Sequence, residues 1–167
     1  WAVACKQATR LVNHSTIKQL LQQSDVKTVW YFFWGKGMVE VLPFVTVQAK
    51  KNIVVKLHGY DLYEERSNGY FPFRELLLEK TDTILPISQN GVNYLKAKYP
   101  QISNKIMLNR LGTQSIGSLS KPSSDGVFRV VSCSSLIELK RVHLMIEALP
   151  YIKVPIQWFH IGDGEQR

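Results

Sequence analysis

Cysteine is scarce in this chain, and no stretch of it stays apolar for long. Only Cys5 and Cys133 occur, far apart and without metal-ligand spacing. We interpret both as reduced thiols of a cytosolic protein, with Cys133 packed in a strand. The apolar runs fall far short of the roughly 20 residues that a transmembrane helix needs. These absences argue against a membrane-spanning protein and against a metal module built on cysteine.

Several short ligand-binding motifs are also missing. Neither Gly-x-Gly-x-x-Gly nor Gly-x-x-x-x-Gly-Lys-Ser/Thr is present, which argues against a nicotinamide dehydrogenase and a P-loop phosphate site. His14, His143 and His160 have no ligand spacing, so core or surface positions explain them better than zinc does. We therefore expect no metal site.

The chain is basic, with 21 Lys and Arg against 13 Asp and Glu and a formal net charge of +8. Two interpretations stay open: a solvated, solubilising surface, or attraction to phosphates or an anionic membrane face. The cations are scattered, and no run of five or more occurs. This pattern argues against a nucleic-acid-binding protein.

Apolar runs of strand length alternate with amphipathic segments of helical period. The alternation predicts an α/β fold with parallel sheets and right-handed crossovers. Strands are predicted at residues 29–34, 53–57, 83–86, 106–109, 127–131 and 156–161. Helices are predicted at residues 13–23, 38–50 and 73–80, from an N-cap at Ser88 to about Tyr99, and from the turn after the fifth strand to residue 152.

Composition changes over residues 113–126, where Ser and Gly replace core residues. We interpret this segment as an interdomain linker or a long surface loop. It separates a first domain, residues 1–112, from the start of a second, residues 127–167. The family resemblance described below implies that both domains are Rossmann-like and incomplete.

Polar side chains follow the predicted strands where ligands bind in parallel sheets, at their carboxyl ends. The residues at these positions are His58, Ser88, Arg110, Lys140 and Gly162.

Residues 127–152 carry the clearest ligand signal. A short apolar run ends in small hydroxyl residues, Lys140 follows, and apolar residues then recur at helical spacing. A strand, turn and helix of this kind presents backbone N–H groups, hydroxyls and a positive helix end to an anion. The pattern predicts a phosphate site with Lys140 in the first helical turn.

Four sequence blocks occur in the order found in one enzyme family. They are residues 58–66 (HGYDLYEER), 84–95 (ILPISQNGVNYL), 105–112 (KIMLNRLG), and 132–149 (SCSSLIELKRVHLMIEAL) with 159–165 (FHIGDGE). The chain resembles retaining glycosyltransferases of the GT-B fold, of the family 4-like type that builds bacterial capsules and exopolysaccharides. The aromatic run at 29–34 (VWYFFW) is similar to its counterpart in these enzymes.

The resemblance implies two Rossmann-like domains that face each other across a cleft. A nucleotide-sugar donor would bind the second domain, and a saccharide or lipid-linked acceptor would bind the first, with retention and without a metal cofactor. His58 would be the catalytic residue beside the transferred sugar. The implied donor-binding residues are Lys140, Arg141, Ser135, Gly162, Asp163, Gly164 and Arg110, and the implied acceptor-binding residues are Gly59, Asp61 and Ser88.

The chain also departs from the family pattern. Ser135 stands where the family has an arginine, Arg141 stands where a glycine is usual, and the downstream glutamate pair does not occur. We therefore expect an internal piece of a longer enzyme. The alternative is a catalytically inactive GT-B-like binding module.

Structural explanations remain open for the same residues. Ser88 fits a helix N-cap, Asp61 a turn cap, Asp163 a turn residue and Lys140 a solvated cation. His58 fits a histidine paired with a neighbouring carbonyl.

The resemblance places the protein in the cytoplasm, at the inner face of the cell membrane. Lys50, Lys51 and Lys56, with Trp34 and Phe44 nearby in sequence, would supply charge and anchoring there.

Overall fold

A computed structural model describes residues 2–23, 28–44, 52–115 and 117–167. The chain forms two compact units, Trp1–Thr113 (unit 1) and Gln114–Arg167 (unit 2). Within the described ranges, no helix has both the length and the apolar composition needed to cross a bilayer. The two units are described separately below.

Unit 1 is built on a parallel sheet of three strands in the order β1-β2-β3, so its α/β class is confirmed. Tyr31 lies opposite Val54, which lies opposite Thr83. The strands are β1 (Val29–Phe32), β2 (Asn52–Leu57) and β3 (Thr83–Pro86), and the helices are α1 (Ala2–Asn13), α2 (Ser15–Gln23), α3 (Gly59–Leu62), α4 (Arg74–Lys80) and α5 (Gln89–Lys98).

One face of this sheet makes the core. Ile53, Val55 and Leu57 alternate along β2 with residues of the other face, and all three are buried. Leu77 and Leu78 of α4 and Leu95 of α5 belong to the same cluster. Full burial of such a side chain stabilises the fold by about 1.5–3 kcal/mol. β2, the central strand of the sheet, thus contributes three side chains to the core of unit 1.

Two predictions for unit 1 need correction. The helix predicted at 38–50 is a 3₁₀ helix, Gly37–Phe44, as far as it is described, and it contains Pro43. Proline has no N–H to donate inside a helix, which disfavours a regular α-helix there. Residues 45–50 of that prediction lie outside the described ranges. The segment predicted as a strand at 106–109 runs beside β3, where Met107 N donates to Ile84 O at 2.9 Å and Asn109 N to Pro86 O at 3.0 Å, but it forms only an isolated bridge, Ile106 with Ile84, and no regular strand.

Unit 2 contains a parallel pair of strands, β4 (Phe128–Cys133) and β5 (Ile156–Ile161), in which Val131 lies opposite Phe159. The helix between them, α6, spans only Val142–Ala148 and continues as a 3₁₀ turn, Leu149–Tyr151. Pro150 interrupts the longer helix that the sequence predicts.

The sheet of unit 2 has one half-buried face and one exposed face. Trp158 and His160 lie on the half-buried face, whereas Val131, Phe159 and Ile161 lie on the exposed face. Cys133 lies in β4 as predicted, but its side chain is exposed, as is that of Cys5, and both are free.

Candidate functional site

His58 directly follows β2, at the carboxyl edge of the sheet in unit 1. Its side chain is only 8% exposed, and neither ring nitrogen completes a hydrogen bond among the described residues, although the backbone N–H of Asp61 faces the imidazole in a capping box. The imidazole lies 4.8 Å from the ring of Phe33 and 4.4 Å from that of Trp34. The sequence placed His58 at this edge correctly, and the carbonyl partner of its alternative, structural interpretation is not found among the described residues.

Asp61 holds the turn that contains His58. Its side chain is fully buried, Oδ1 accepts a hydrogen bond from His58 N at 2.6 Å, and Oδ2 accepts one from Gly35 N at 2.5 Å. Because both carboxylate oxygens serve backbone N–H groups, Asp61 caps the turn and joins it to the segment after β1. In this structure it has no exposed surface to offer an acceptor.

Arg74, which the sequence analysis did not single out, supports the same turn from α4. The buried guanidinium donates to the backbone oxygens of Gly35, Asp61 and Leu62. Burial lowers the pKa of Arg74, and nearby Tyr99 and Asp61 oppose that shift. An arginine in this position is protonated at any ordinary pH, so a fixed positive charge lies under the turn.

A second buried carboxylate, Glu64, lies beside this arrangement. Glu64 accepts hydrogen bonds from Lys98 Nζ at 2.8 Å and from the Tyr99 hydroxyl. Burial raises the pKa of Glu64, but those two hydrogen bonds and the charges of Lys98 and Arg74 outweigh it, so the pKa lies below its usual value. Burial and the bond to Glu64 raise the pKa of Tyr99. Glu64 is therefore a structural anion.

Ser88 and Gly59 complete this edge. Ser88 is the N-cap of α5, as its structural interpretation predicts, and its Oγ accepts a hydrogen bond from Gly91 N at 3.1 Å. Ile87 N donates to Leu57 O at 3.2 Å, so Ser88 and His58 follow neighbouring strands at one edge. The carbonyl of Gly59 accepts a hydrogen bond from Arg66 at 3.3 Å, and a β-carbon at Gly59 would press on that guanidinium.

Lys56 does not form the exposed patch that a membrane contact requires. It is 7% exposed, and its Nζ donates to Asn109 Oδ1 at 2.6 Å. The expectation that Lys56 supplies surface charge is therefore wrong. Lys50 and Lys51 lie outside the described residues, and Trp34 and Phe44 are about half exposed. Arg110 is exposed in the segment that follows the bridge at Ile106.

In unit 2, two loops run side by side at the carboxyl edge of the sheet. Ser134 N donates to Ile161 O at 3.1 Å, Leu136 N to Asp163 O at 2.9 Å, and Gln166 N to Leu136 O at 3.1 Å. A β-carbon at Gly162 would collide with the carbonyl of Ser134, and one at Gly164 with that of Leu136. Both glycines are thus required for the close approach of the two loops.

The cations of unit 2 lie just before α6. Lys140 ends a 3₁₀ turn, Glu138–Lys140, and α6 begins only at Val142, so the prediction of Lys140 in the first helical turn is wrong. The physical reason is Arg141, whose left-handed conformation (φ 50°, ψ 40°) separates the 3₁₀ turn from α6. This conformation favours glycine, which is the residue that the resemblance expects there.

The remaining donor-site candidates lie on the same edge. Lys140, Arg141 and Ser135 are exposed, and Lys140 Nζ has no partner within the described residues. Asp163 Oδ1 accepts a hydrogen bond from Gly164 N at 2.9 Å, in keeping with a turn role, and lies 3.6 Å from Arg167.

A cavity of about 720 Å³ adjoins the loop of Gly162 and Gly164 in unit 2. Its lining residues come from the loop after β4, from α6, from β5 and from residues 162–167: Leu136, Val142, His143, Ile146, Trp158, His160, Gly162, Gln166 and Arg167. Lys140 and Ser135 are not among them.

A hydrogen-bond chain fixes the wall of this cavity. Trp158 Nε1 donates to Ser132 Oγ at 2.8 Å, Ser132 Oγ lies 2.8 Å from His160 Nδ1, and His160 Nε2 lies 3.0 Å from Ser134 O. Since a carbonyl can only accept, His160 carries its proton on Nε2 and accepts the Ser132 hydroxyl proton at Nδ1. The sequence analysis missed this chain, because its partners lie on two strands whose register was unknown.

In the described part of the chain, no group of three or more His, Cys, Asp or Glu is placed to hold a metal ion. Comparison with protein-family models found no match, and no curated protein matches the chain.

Proposed function

We propose that the protein is part of a retaining glycosyltransferase, which moves a sugar from a nucleotide-sugar donor to a saccharide or lipid-linked acceptor. The proposal combines the resemblance of the four sequence blocks with the α/β architecture of two parallel sheets. Unit 2 would hold the donor and unit 1 the acceptor. The setting would be polysaccharide synthesis on the cytoplasmic side of a membrane.

One observation carries the proposal. Two loops at the carboxyl edge of the sheet in unit 2 are joined by backbone hydrogen bonds and border a cavity of about 720 Å³. Ligands of parallel α/β sheets bind at this edge, and cavities of roughly 300–1,000 Å³ accommodate small-molecule ligands. The volume suits a nucleotide, and Arg167 in its lining offers a cation to a phosphate.

Charge explains how such a site would work. In the proposed reaction the oxygen of an acceptor hydroxyl forms a bond to the anomeric carbon of the sugar while the bond from that carbon to the phosphate oxygen breaks. The nucleoside diphosphate leaves with the bonding electrons and takes up the hydroxyl proton. Lys140 and Arg141, both exposed beside this edge, would stabilise the departing charge. His58 of unit 1 would hydrogen-bond a sugar hydroxyl, because both its ring nitrogens are unpaired in the described structure.

Isothermal titration of the protein with a panel of UDP- and GDP-sugars tests the proposal. We expect binding of at least one donor, weakened about tenfold or more in Arg167→Met, because Arg167 lines the cavity and a hydrogen bond to a charged group is lost. The matched control is Lys153→Met, which removes an exposed cation of unit 2 that does not line the cavity. A folded protein that binds no donor contradicts the proposal.

A second candidate is a GT-B-like module that binds donor without turnover. It is favoured by Ser135, which is exposed and uncharged where the family has a diphosphate-gripping arginine. Donor binding with no release of free nucleotide, with or without acceptors, supports this candidate. Measured turnover excludes it.

A further inference from the structure

An aromatic cover lies over His58. Trp34 is 49% exposed and Phe33 is 45% exposed, yet both rings contact the imidazole beneath them, which is almost fully buried. The two cover rings meet edge to face at 5.4 Å and 85°. Two large aromatic side chains, Phe33 and Trp34, thus remain half exposed to water next to a histidine, His58, that is almost fully buried.

The imidazole under this cover lacks what its chemistry requires. A neutral histidine has one N–H donor and one lone-pair acceptor, and neither completes a hydrogen bond among the described residues, although the backbone N–H of Asp61 faces the ring in a capping box. A buried polar group left unpaired destabilises the folded state. Phe33 and the face of the Trp34 indole cannot supply that pairing. A ligand that brings hydroxyl groups to the imidazole can.

We propose that Trp34 is the residue on which the acceptor saccharide stacks, and that its indole swings off His58 when the sugar binds. A saccharide ring offers C–H groups to an aromatic face and hydroxyls to the imidazole nitrogens. A bound saccharide therefore covers the exposed aromatic rings and forms hydrogen bonds with the imidazole nitrogens. This inference rests on the proposed function in one respect, that the bound saccharide is the acceptor of a glycosyl transfer.

Other occupants satisfy only part of the site. A lipid tail would cover the aromatic rings but leave both imidazole nitrogens unpaired. A nucleobase stacks on a single aromatic ring, so the angle between Trp34 and Phe33 does not exclude it. We favour the saccharide because its several hydroxyl groups can reach the imidazole while its C–H groups lie on the indole, and the titration with nucleotide sugars separates the two ligand classes.

The backbone next to Trp34 limits the movement to its side chain. Gly35 N donates to Asp61 Oδ2 at 2.5 Å, and Gly35 O accepts a hydrogen bond from Arg74 at 3.4 Å. A β-carbon at Gly35 would collide with Leu57, so this glycine is packed closely against the core. Rotation about the Trp34 side-chain bonds therefore moves the indole off His58 without moving the backbone.

A microbial glycan array, followed by calorimetric titration of the saccharide found, tests the proposal on the intact protein. We expect Trp34→Ala to weaken saccharide binding about tenfold, since aromatic contacts of this kind contribute up to about that factor beyond area burial. Trp34→Phe should retain most of the affinity. Tyr151→Ala, which removes a highly exposed aromatic ring from unit 2, should bind as the wild type does.

A second readout follows the imidazole itself. In protein carrying ¹⁵N-histidine, the His58 ring nitrogens should shift when saccharide is added, with the signal assigned by its loss in His58→Gln. The far-ultraviolet dichroism of each variant verifies folding. Affinity unchanged in a folded Trp34→Ala, or His58 nitrogens that do not move, overturns the proposal.

The remaining outcomes separate this inference from the proposed function. Nucleotide-sugar binding without any saccharide on the array overturns the role of Trp34 and leaves the donor site standing. Saccharide binding that depends on Trp34, without nucleotide-sugar binding, supports the stacking role and removes the glycosyltransferase. Binding to anionic vesicles that depends on Trp34, without saccharide binding, overturns the inference in favour of a membrane contact.

Discussion

Replacing Asp61 by asparagine should destabilise unit 1 more than any other single-atom exchange at this edge. The side chain is fully buried, and its two oxygens accept backbone hydrogen bonds from Gly35 and His58, residues on two different strand ends. Asparagine keeps one acceptor oxygen but presents an NH₂ group to the second donor. That donor then faces another donor without water to replace the bond.

The magnitude follows from these contacts. A hydrogen bond to a charged group contributes about 1.5–3 kcal/mol, and a buried donor left unpaired costs about 1–3 kcal/mol. The buried guanidinium of Arg74 also loses a favourable charge nearby. We expect the free energy of unfolding to fall by about 3 kcal/mol. At a typical dependence on urea, this lowers the unfolding midpoint by about 1–3 M.

Urea unfolding followed by tryptophan fluorescence measures the change, and hydrogen exchange at the amides of Gly35 and His58 locates it. Asp163→Asn is the matched control, because Asp163 is exposed and lies only 3.6 Å from an equally exposed Arg167, so no measurable change is expected. The reasoning is refuted if Asp61→Asn unfolds at the wild-type midpoint, or if the two amides stay as protected as before.

Three further predictions follow from the structure. The pKa of Glu64 lies below its ordinary value in the folded protein, so the stability that its ionised form adds is present above the unfolded pKa and is lost as pH falls through the folded pKa. The urea midpoint should therefore fall less steeply from pH 6 to pH 3 in Glu64→Gln than in the wild type. Equal slopes for the two proteins would contradict this prediction. Gly164→Ala should destabilise unit 2 and expose the Gln166 amide to hydrogen exchange, because the new methyl group collides with the Leu136 carbonyl. The control Gly112→Ala adds a methyl group that contacts nothing, so it should have no such effect. A wild-type exchange pattern in Gly164→Ala would count against the loop contact. Ser88→Ala should cost about 1 kcal/mol by loss of the N-cap, measured by thermal unfolding against Ser120→Ala in the exposed loop, and an equal effect of both would argue against a cap.

Much of the fold could be predicted from local patterns. The runs that became β2, β3 and β5 are short, apolar and rich in branched or aromatic residues, and they were assigned within one residue of their bounds. Ser88 predicted the start of α5, because an N-cap hydrogen bond joins two residues only three positions apart in the sequence. These signals are local, so no partner strand is needed to recognise them.

The incorrect predictions of secondary structure fall where a proline, an unusual backbone conformation or the pairing of strands determines the structure. Pro43 and Pro150 replaced predicted α-helix by 3₁₀ turns. Arg141 adopts a left-handed conformation that propensity disfavours, which moves the start of α6 past Lys140. The segment at 106–109 has the composition of a strand and donates two backbone hydrogen bonds to β3, but it forms only one β-bridge and no regular strand.

The candidate site shows the same division. The sequence alone determined that His58, Ser88 and Gly162 follow strands, because strand ends are visible in the alternation of apolar and polar segments. It could not determine that Asp61 joins His58 to Gly35, a residue 26 positions away, or that Trp34 covers the imidazole. Those contacts depend on the register and packing of β1 against β2. Register is a property of paired strands, and only the folded chain specifies it.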